Sequence, residues 1–296
     1  ISMERALASY HPIVSFLFFV VVIGMSMLYM HPVLLLISLI SAIIYSTILN
    51  KEKFKQTLSF ASIIILGAII ANAMFVNRGF TVLFYFRQNP VTLESISYGL
   101  CAGIMMASVV VWFSCYNEII TSDKFLYIFG KTFPSIALMI SMVLRLIPKL
   151  TEQTKIIAKS QKTVGLDYSE GNIKMKIKSS MRILSILVTW ALEDAVQTAD
   201  SMKARGYGIK GRTNFSIYRF IKRDMIMLGI IGTIGLFLFM GYINGYGNLM
   251  FYPSIENIRF DGLYMAIYLS FFLITLLPSF LEIVEEYKWK YSEWMD

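Results

Sequence analysis

"SMKARGYGIKGRTNF" (residues 201–215) is the stretch on which the reading of this sequence turns. Gly206-Tyr207-Gly208-Ile209-Lys210-Gly211 fits G-x-G-x-x-G, the glycine spacing of a dinucleotide-binding loop. That loop needs a strand before it and a helix after it, so that phosphate meets a helix N-terminus. What precedes Gly206 has helical spacing instead. Between Ile173 and Ala204 the apolar residues Ile183, Leu184, Leu187, Ala191, Ala195 and Met202 recur mostly at three- and four-residue steps, which predicts one long helix. Lys203 and Arg205 stand where a helix dipole favours cations, and Gly206 where a helix stops. The glycines therefore close a helix, at the end that repels anions, and no phosphate site is expected. By residue type alone, Ala204-Arg205-Gly206 is a helix cap.

A second basic helix lies upstream in "FPSIALMISMVLRLIPKLTEQTKIIAKSQKT" (residues 133–163). Its first half is almost wholly apolar. Its second half sets Leu150, Ile156, Ile157 and Val164 against Lys149, Glu152, Lys155, Lys159 and Lys162. Pro148 is expected to kink or break the helix between the halves, and Gly165 to stop it. Both helices thus end in cations and a glycine.

The surroundings of these helices are apolar. The 296 residues are 56% hydrophobic and only 16% charged, with a mean hydropathy of +0.63; a soluble domain carries roughly 25% charged residues. Spans of about 20 apolar residues account for the excess. Six runs qualify: 13–30, 32–49, 57–76, 96–116, 225–242 and 263–281. The Met30-His31-Pro32 junction makes a hairpin of the first two, with proline in the first turn of the second. Thr92-Leu93-Glu94-Ser95 reads as the cap of the fourth. The first run leads straight into the second, so a cleavable signal peptide is not expected. The chain divides into residues 1–120 with four spans, a basic region 121–223, and residues 224–296 with two spans and a tail.

The charge is as uneven as the hydropathy. Residues 121–223 hold 18 Lys+Arg and 7 Asp+Glu, a net of +11; the remainder holds 9 and 12, a net of −3. Basic segments beside membrane spans stay in the cytoplasm. That puts Arg5, Lys51, Lys53, Lys55, the basic region and both termini inside. The outer connections at 31, 77–95 and 241–261 keep only Arg78, Arg87 and Arg259 as cations. Asn214-Phe215-Ser216 matches a glycosylation sequon but falls in the inner region. Nothing marks a nucleic-acid-reading helix, so no nucleic-acid partner is expected. No metal site or cofactor is expected either. His11 and His31 each precede a proline as helix-entry residues, Cys101 and Cys115 share one apolar run, and the 18 methionines are scattered packing residues.

At this point a family resemblance enters. "EDAVQTADSMKARGYGIKGRT" (193–213) resembles the second signature of the transmembrane (T) component of energy-coupling factor (ECF) transporters, the CbiQ-like family. "GAIIANAMFVNRGFTVLFYF" (67–86), "TLESISYGL" (92–100) and "MVLRLIPKLTEQTKIIAKSQKTVGLD" (142–167) match it in order. The resemblance implies an all-α, polytopic membrane protein with about six transmembrane helices and two long cytoplasmic coupling helices. It implies two cytosolic ATPase subunits as partners, one per coupling helix, and a membrane S component that binds a vitamin, cobalt or nickel. ATP hydrolysis then resides in the partners, and this chain is no enzyme. The coupling motifs fall on Ala204, Arg205 and Gly206, and on Thr163, Val164 and Gly165. Lys162, Lys203, Tyr207, Gly208, Gly211 and Arg212 support them. Val164 departs from the pattern, because the first motif carries an arginine in the family.

Two other readings compete. A permease of an ordinary ABC importer uses one short coupling loop, not two long basic helices. An intramembrane transferase needs acidic or histidine clusters at membrane depth. Glu193 and Asp194 are adjacent and so do not share a helix face, and Asp200 lies further along.

Overall fold

A computed structural model describes residues 6–49, 51–76, 78–86, 89–130, 133–165, 173–209, 218–257 and 259–293. Within them the regular elements are helices and one short hairpin. The elements are α1 (Pro12–Leu28), α2 (Pro32–Leu49), α3 (Lys51–Phe75), β1 (Val82–Phe86), β2 (Asn89–Thr92), α4 (Leu93–Ile119), α5 (Ser122–Gly130), α6 (Pro134–Thr163), α7 (Ile173–Ala204), α8 (Lys222–Ile243) and α9 (Gly262–Glu293). A 3-10 turn, Ala6–Ser9, precedes α1. The strands pair antiparallel, with Tyr85 opposite Pro90. Residues 1–125 with 218–296 form one unit, and residues 126–217 the other.

The first unit is a helical bundle whose centre is aromatic. Trp112 of α4 is fully buried, with ring centroids of Phe18, Phe19 and Tyr45 at 6.0, 6.3 and 6.2 Å. Its indole Nε1 donates to Ser38 Oγ at 3.1 Å, and Ser38 Oγ lies 2.8 Å from Ser26 Oγ. Ser41 donates to Thr275 at 3.1 Å, joining α2 to α9. Apolar helices in lipid gain little from hydrophobic burial against one another, so small residues and buried hydroxyl contacts hold them together. The Tyr29 hydroxyl adds a bond of 2.6 Å to the Leu238 carbonyl of α8.

The helix entries follow from local chemistry. His11 caps α1, its ring Nδ1 accepting from the Ile13 N–H at 3.3 Å. Thr92 caps α4, its hydroxyl accepting from Ser95 N–H at 3.2 Å. Both roles are those expected from the sequence.

Of the kink or break expected at Pro148, the break does not occur: α6 runs through it from Pro134 to Thr163. Proline removes only the bond to the Leu144 carbonyl, at a cost of about 3 kcal/mol, and the turns on either side are good helix formers. Among the described residues, six helices are long and apolar enough to cross a membrane, α2, α3, α4, α6, α8 and α9, and α1 is apolar and 17 residues long.

Candidate functional site

The two helix ends singled out in the sequence lie in the second unit. α7 ends as expected at Ala204. Gly206 then turns the chain with φ +77°, its N–H donating to the Lys203 carbonyl at 3.0 Å. Tyr207 N–H donates to the Met202 carbonyl at 3.0 Å. This pair of bonds around a left-handed glycine satisfies carbonyls that a helix terminus otherwise leaves orphaned. Ile209 closes over the turn: a Cβ on Gly206 would meet its Cδ1 at 2.8 Å. Gly208 is also left-handed, with φ +96°.

α6 ends in the same way. Gly165 has φ +78°, and its N–H donates to the Lys162 carbonyl at 3.0 Å. The Val164 N–H reaches the Gln161 carbonyl at 3.2 Å, and the Thr163 hydroxyl bonds the Ser160 carbonyl at 2.8 Å. Val164 and Arg205 therefore occupy one structural position, the residue between the last helical residue and the left-handed glycine. Both side chains are exposed, Val164 at 73%. Lys162, Lys203 and Tyr207 flank the two positions. Gly211 and Arg212 lie outside the described residues. The helix, not a strand, that precedes Gly206 leaves the G-x-G-x-x-G spacing without the context of a nucleotide loop.

Where α6 and α7 pass each other they leave an open cleft of about 860 Å³. Arg145 of α6, Asp194, Gln197 and Ser201 of α7 and Arg205 just beyond it line it. Lys149 of α6 pairs with Asp194 of α7 and lies 5.1 Å from the Trp190 ring centroid. This contact joins the two helices, and sequence reading missed it. Lys149 and Asp194 are 45 positions apart, so no local spacing signals them. Asp194 is thereby engaged as an ion-pair partner, while Glu193 lies within 3.4 Å of Gln197 Nε2. The stripe Ile183 to Met202 packs less than its spacing suggested. Ile183 is buried, whereas Leu184 is half exposed.

Comparison with known proteins bears on this arrangement. The family model described as "Cobalt transport protein" (CbiQ) matches residues 7–217. The energy-coupling factor transporter transmembrane protein EcfT 1 of Listeria monocytogenes is 32% identical over 190 residues, covering 58% of this chain and 70% of that protein. EcfT of Streptococcus equi is 29% identical over 178 residues, covering 56% and 66%. EcfT of Streptococcus thermophilus is 38% identical over 117 residues, covering 39% and 44%. The chain thus spans about two thirds of the length of the first two relatives. A match over residues 7–217, with six helices among the described residues long and apolar enough to cross a membrane, gives one conclusion: the chain belongs to the CbiQ family of transport proteins, to which its EcfT-like relatives point as well, and it is a multi-pass membrane protein.

Proposed function

We propose that this chain is the transmembrane coupling subunit of an ECF-type importer. It holds two cytosolic ATPases at the ends of α6 and α7 and passes their ATP-driven motion to a membrane S component, which takes up a vitamin or a transition-metal ion. Residues 121–223 and both termini face the cytoplasm, as the basic excess requires. The observation that carries the reading is the shared geometry of the two ends. A fixed left-handed glycine presents one side chain, Arg205 or Val164, beyond each long helix. An arginine so placed offers a rigid, permanently charged fork to a carboxylate. The chain carries no catalytic role of its own in this reading, and hydrolysis belongs to the ATPases. The test is mild solubilisation and affinity capture of the tagged chain from its native membrane. Recovery of two ATPase subunits and a small membrane protein is expected. Recovery without any ATPase would overturn the reading.

A further inference from the structure

The chain leaves the helical bundle after Phe125 and returns at Tyr218. Inside the bundle, both crossings are fastened to the same short segment, Ala6–His11. On the outgoing side, Lys124 of α5 is buried, and its Nζ donates to the Ala8 carbonyl at 2.8 Å and the Ile119 carbonyl at 3.2 Å. On the returning side, Phe220 stacks on the His11 ring at 4.2 Å, with Tyr218 edge-on at 6.5 Å. Arg223 then donates to the Ser9 carbonyl and Ser9 Oγ, both at 3.2 Å, and covers the Tyr10 ring at 4.1 Å. Asp224, buried to 2% exposure, accepts from the His11 N–H at 3.3 Å with one oxygen and from the Ile221 N–H at 3.1 Å with the other.

The segment is itself anchored. Ala6 N–H donates to Glu282 of α9 at 2.9 Å, and the Leu7 carbonyl accepts from Ser15 of α1 at 2.8 Å. Ala6 and Leu7 are buried. A buried ammonium and a buried carboxylate are costly unless hydrogen-bonded. Here the ammonium is bonded to the Ala8 carbonyl and the carboxylate to the His11 N–H, both within the Ala6–His11 segment, which fixes the place of the two chain crossings against it.

We propose that the Ala6–His11 segment is a clasp that pins both crossings to the bundle, so that movement of residues 126–217 is delivered to the membrane helices at this point instead of being absorbed by slack connections. The proposal rests on the coupling reading above, and Lys124, Arg223 and Asp224 are its positioning residues. A slack crossing would let the ATPases cycle while the bundle stayed still. A pinned crossing makes each cycle displace α1, α8 and α9, to which the segment is tied.

The test uses the full complex with its ATPases and S component in proteoliposomes. Lys124→Met removes the buried donor, and Arg223→Gln loosens the exposed side of the clasp. The expected result is unchanged ATPase association and hydrolysis with a several-fold fall in substrate taken up per ATP hydrolysed. Ser9→Cys with Arg223→Cys, bridged by a short bifunctional thiol reagent, should retain uptake, because the clasp stays closed through the cycle. Normal uptake per ATP in both single variants, or loss of uptake on bridging, would overturn the proposal. A separate readout is independent of transport. Hydrogen exchange at the Ala6 and His11 amides should be slow in the parent chain and faster in Lys124→Met, and equal rates would also overturn it. If no ATPase associates with the parent chain, the coupling reading fails instead, and the exchange rates still decide whether the clasp exists.

Discussion

His31 shows how much a single residue carries at a helix junction. It is buried between α1 and α2, and its Nε2 lies 3.1 Å from the Tyr268 hydroxyl. That hydroxyl also reaches the Arg259 carbonyl at 3.3 Å, so the junction is tied to the start of α9. Burial pushes the His31 pKa below its ordinary 6.5, because desolvation disfavours the imidazolium. The sign for stability follows. The unfolded chain takes up this proton near pH 6.5 and the folded chain only at lower pH. The contribution is therefore intact above about 6.5 and is lost as pH falls from there towards the lowered folded value. The thermal midpoint of the solubilised protein should fall over that range in the parent and change less in His31→Gln. Equal pH dependence would show that His31 is not the titrating group. The helix-entry role of His31 was legible from His31-Pro32. Its partner Tyr268, 237 positions away, was not, since pairing at that distance follows from tertiary packing.

Among the elements, α7 was legible to the residue, because Gly206 and the cations before it mark the stop chemically. α6 was legible at its end, and of the kink or break expected in its middle the break does not occur. The cost of Pro148 is local, whereas a 30-residue helix has many intact bonds to offset it. One close helix pair escaped sequence reading altogether. α3 runs along α4 where Gly99 and Gly103 face it. A Cβ on Gly103 would meet Ile65 Cα at 2.9 Å, and one on Gly99 would meet Asn72 Cβ at 2.9 Å. Glycines four apart in an apolar helix let two backbones approach closely, and "GLCAG" (residues 99–103) carries that spacing. Gly103→Ala must push against backbone atoms, so it should destabilise by about 1–3 kcal/mol, the usual cost of overpacking. Gly67→Ala in α3 meets nothing within 4 Å and should be neutral. Thermal midpoints of the two variants in detergent check this; equal shifts would deny the close α3–α4 approach.

On the scale of the whole molecule, the helical class and the abundance of spans were written in the composition. Which apolar helices cross the membrane was not, because length and apolar content alone do not separate α1 from the first half of α6. The inside-out assignment rests on charge. A cysteine placed at Asn248 should react with an impermeant thiol reagent from outside, and one placed at Asp167 should not; labelling at Asp167 would refute the assignment. The two motifs proposed for coupling stand in the sequence, and the structure adds that Val164 and Arg205 share one capped position. This equivalence makes the coupling account asymmetric. If Arg205 meets a carboxylate on an ATPase, truncating it costs about 2–5 kcal/mol, as for comparable buried charge pairs, or roughly 30-fold and more in affinity. Val164 can add only apolar contact, on the order of 1–2 kcal/mol. Arg205→Lys should rescue only in part, since lysine lacks the planar fork. The decisive measurement is ATPase affinity and substrate uptake of the full complex carrying Arg205→Ala, Arg205→Lys or Val164→Ala. The account predicts a large loss for Arg205→Ala, an intermediate loss for Arg205→Lys and a small one for Val164→Ala; equal losses for the two alanine variants, or none for either, would contradict it.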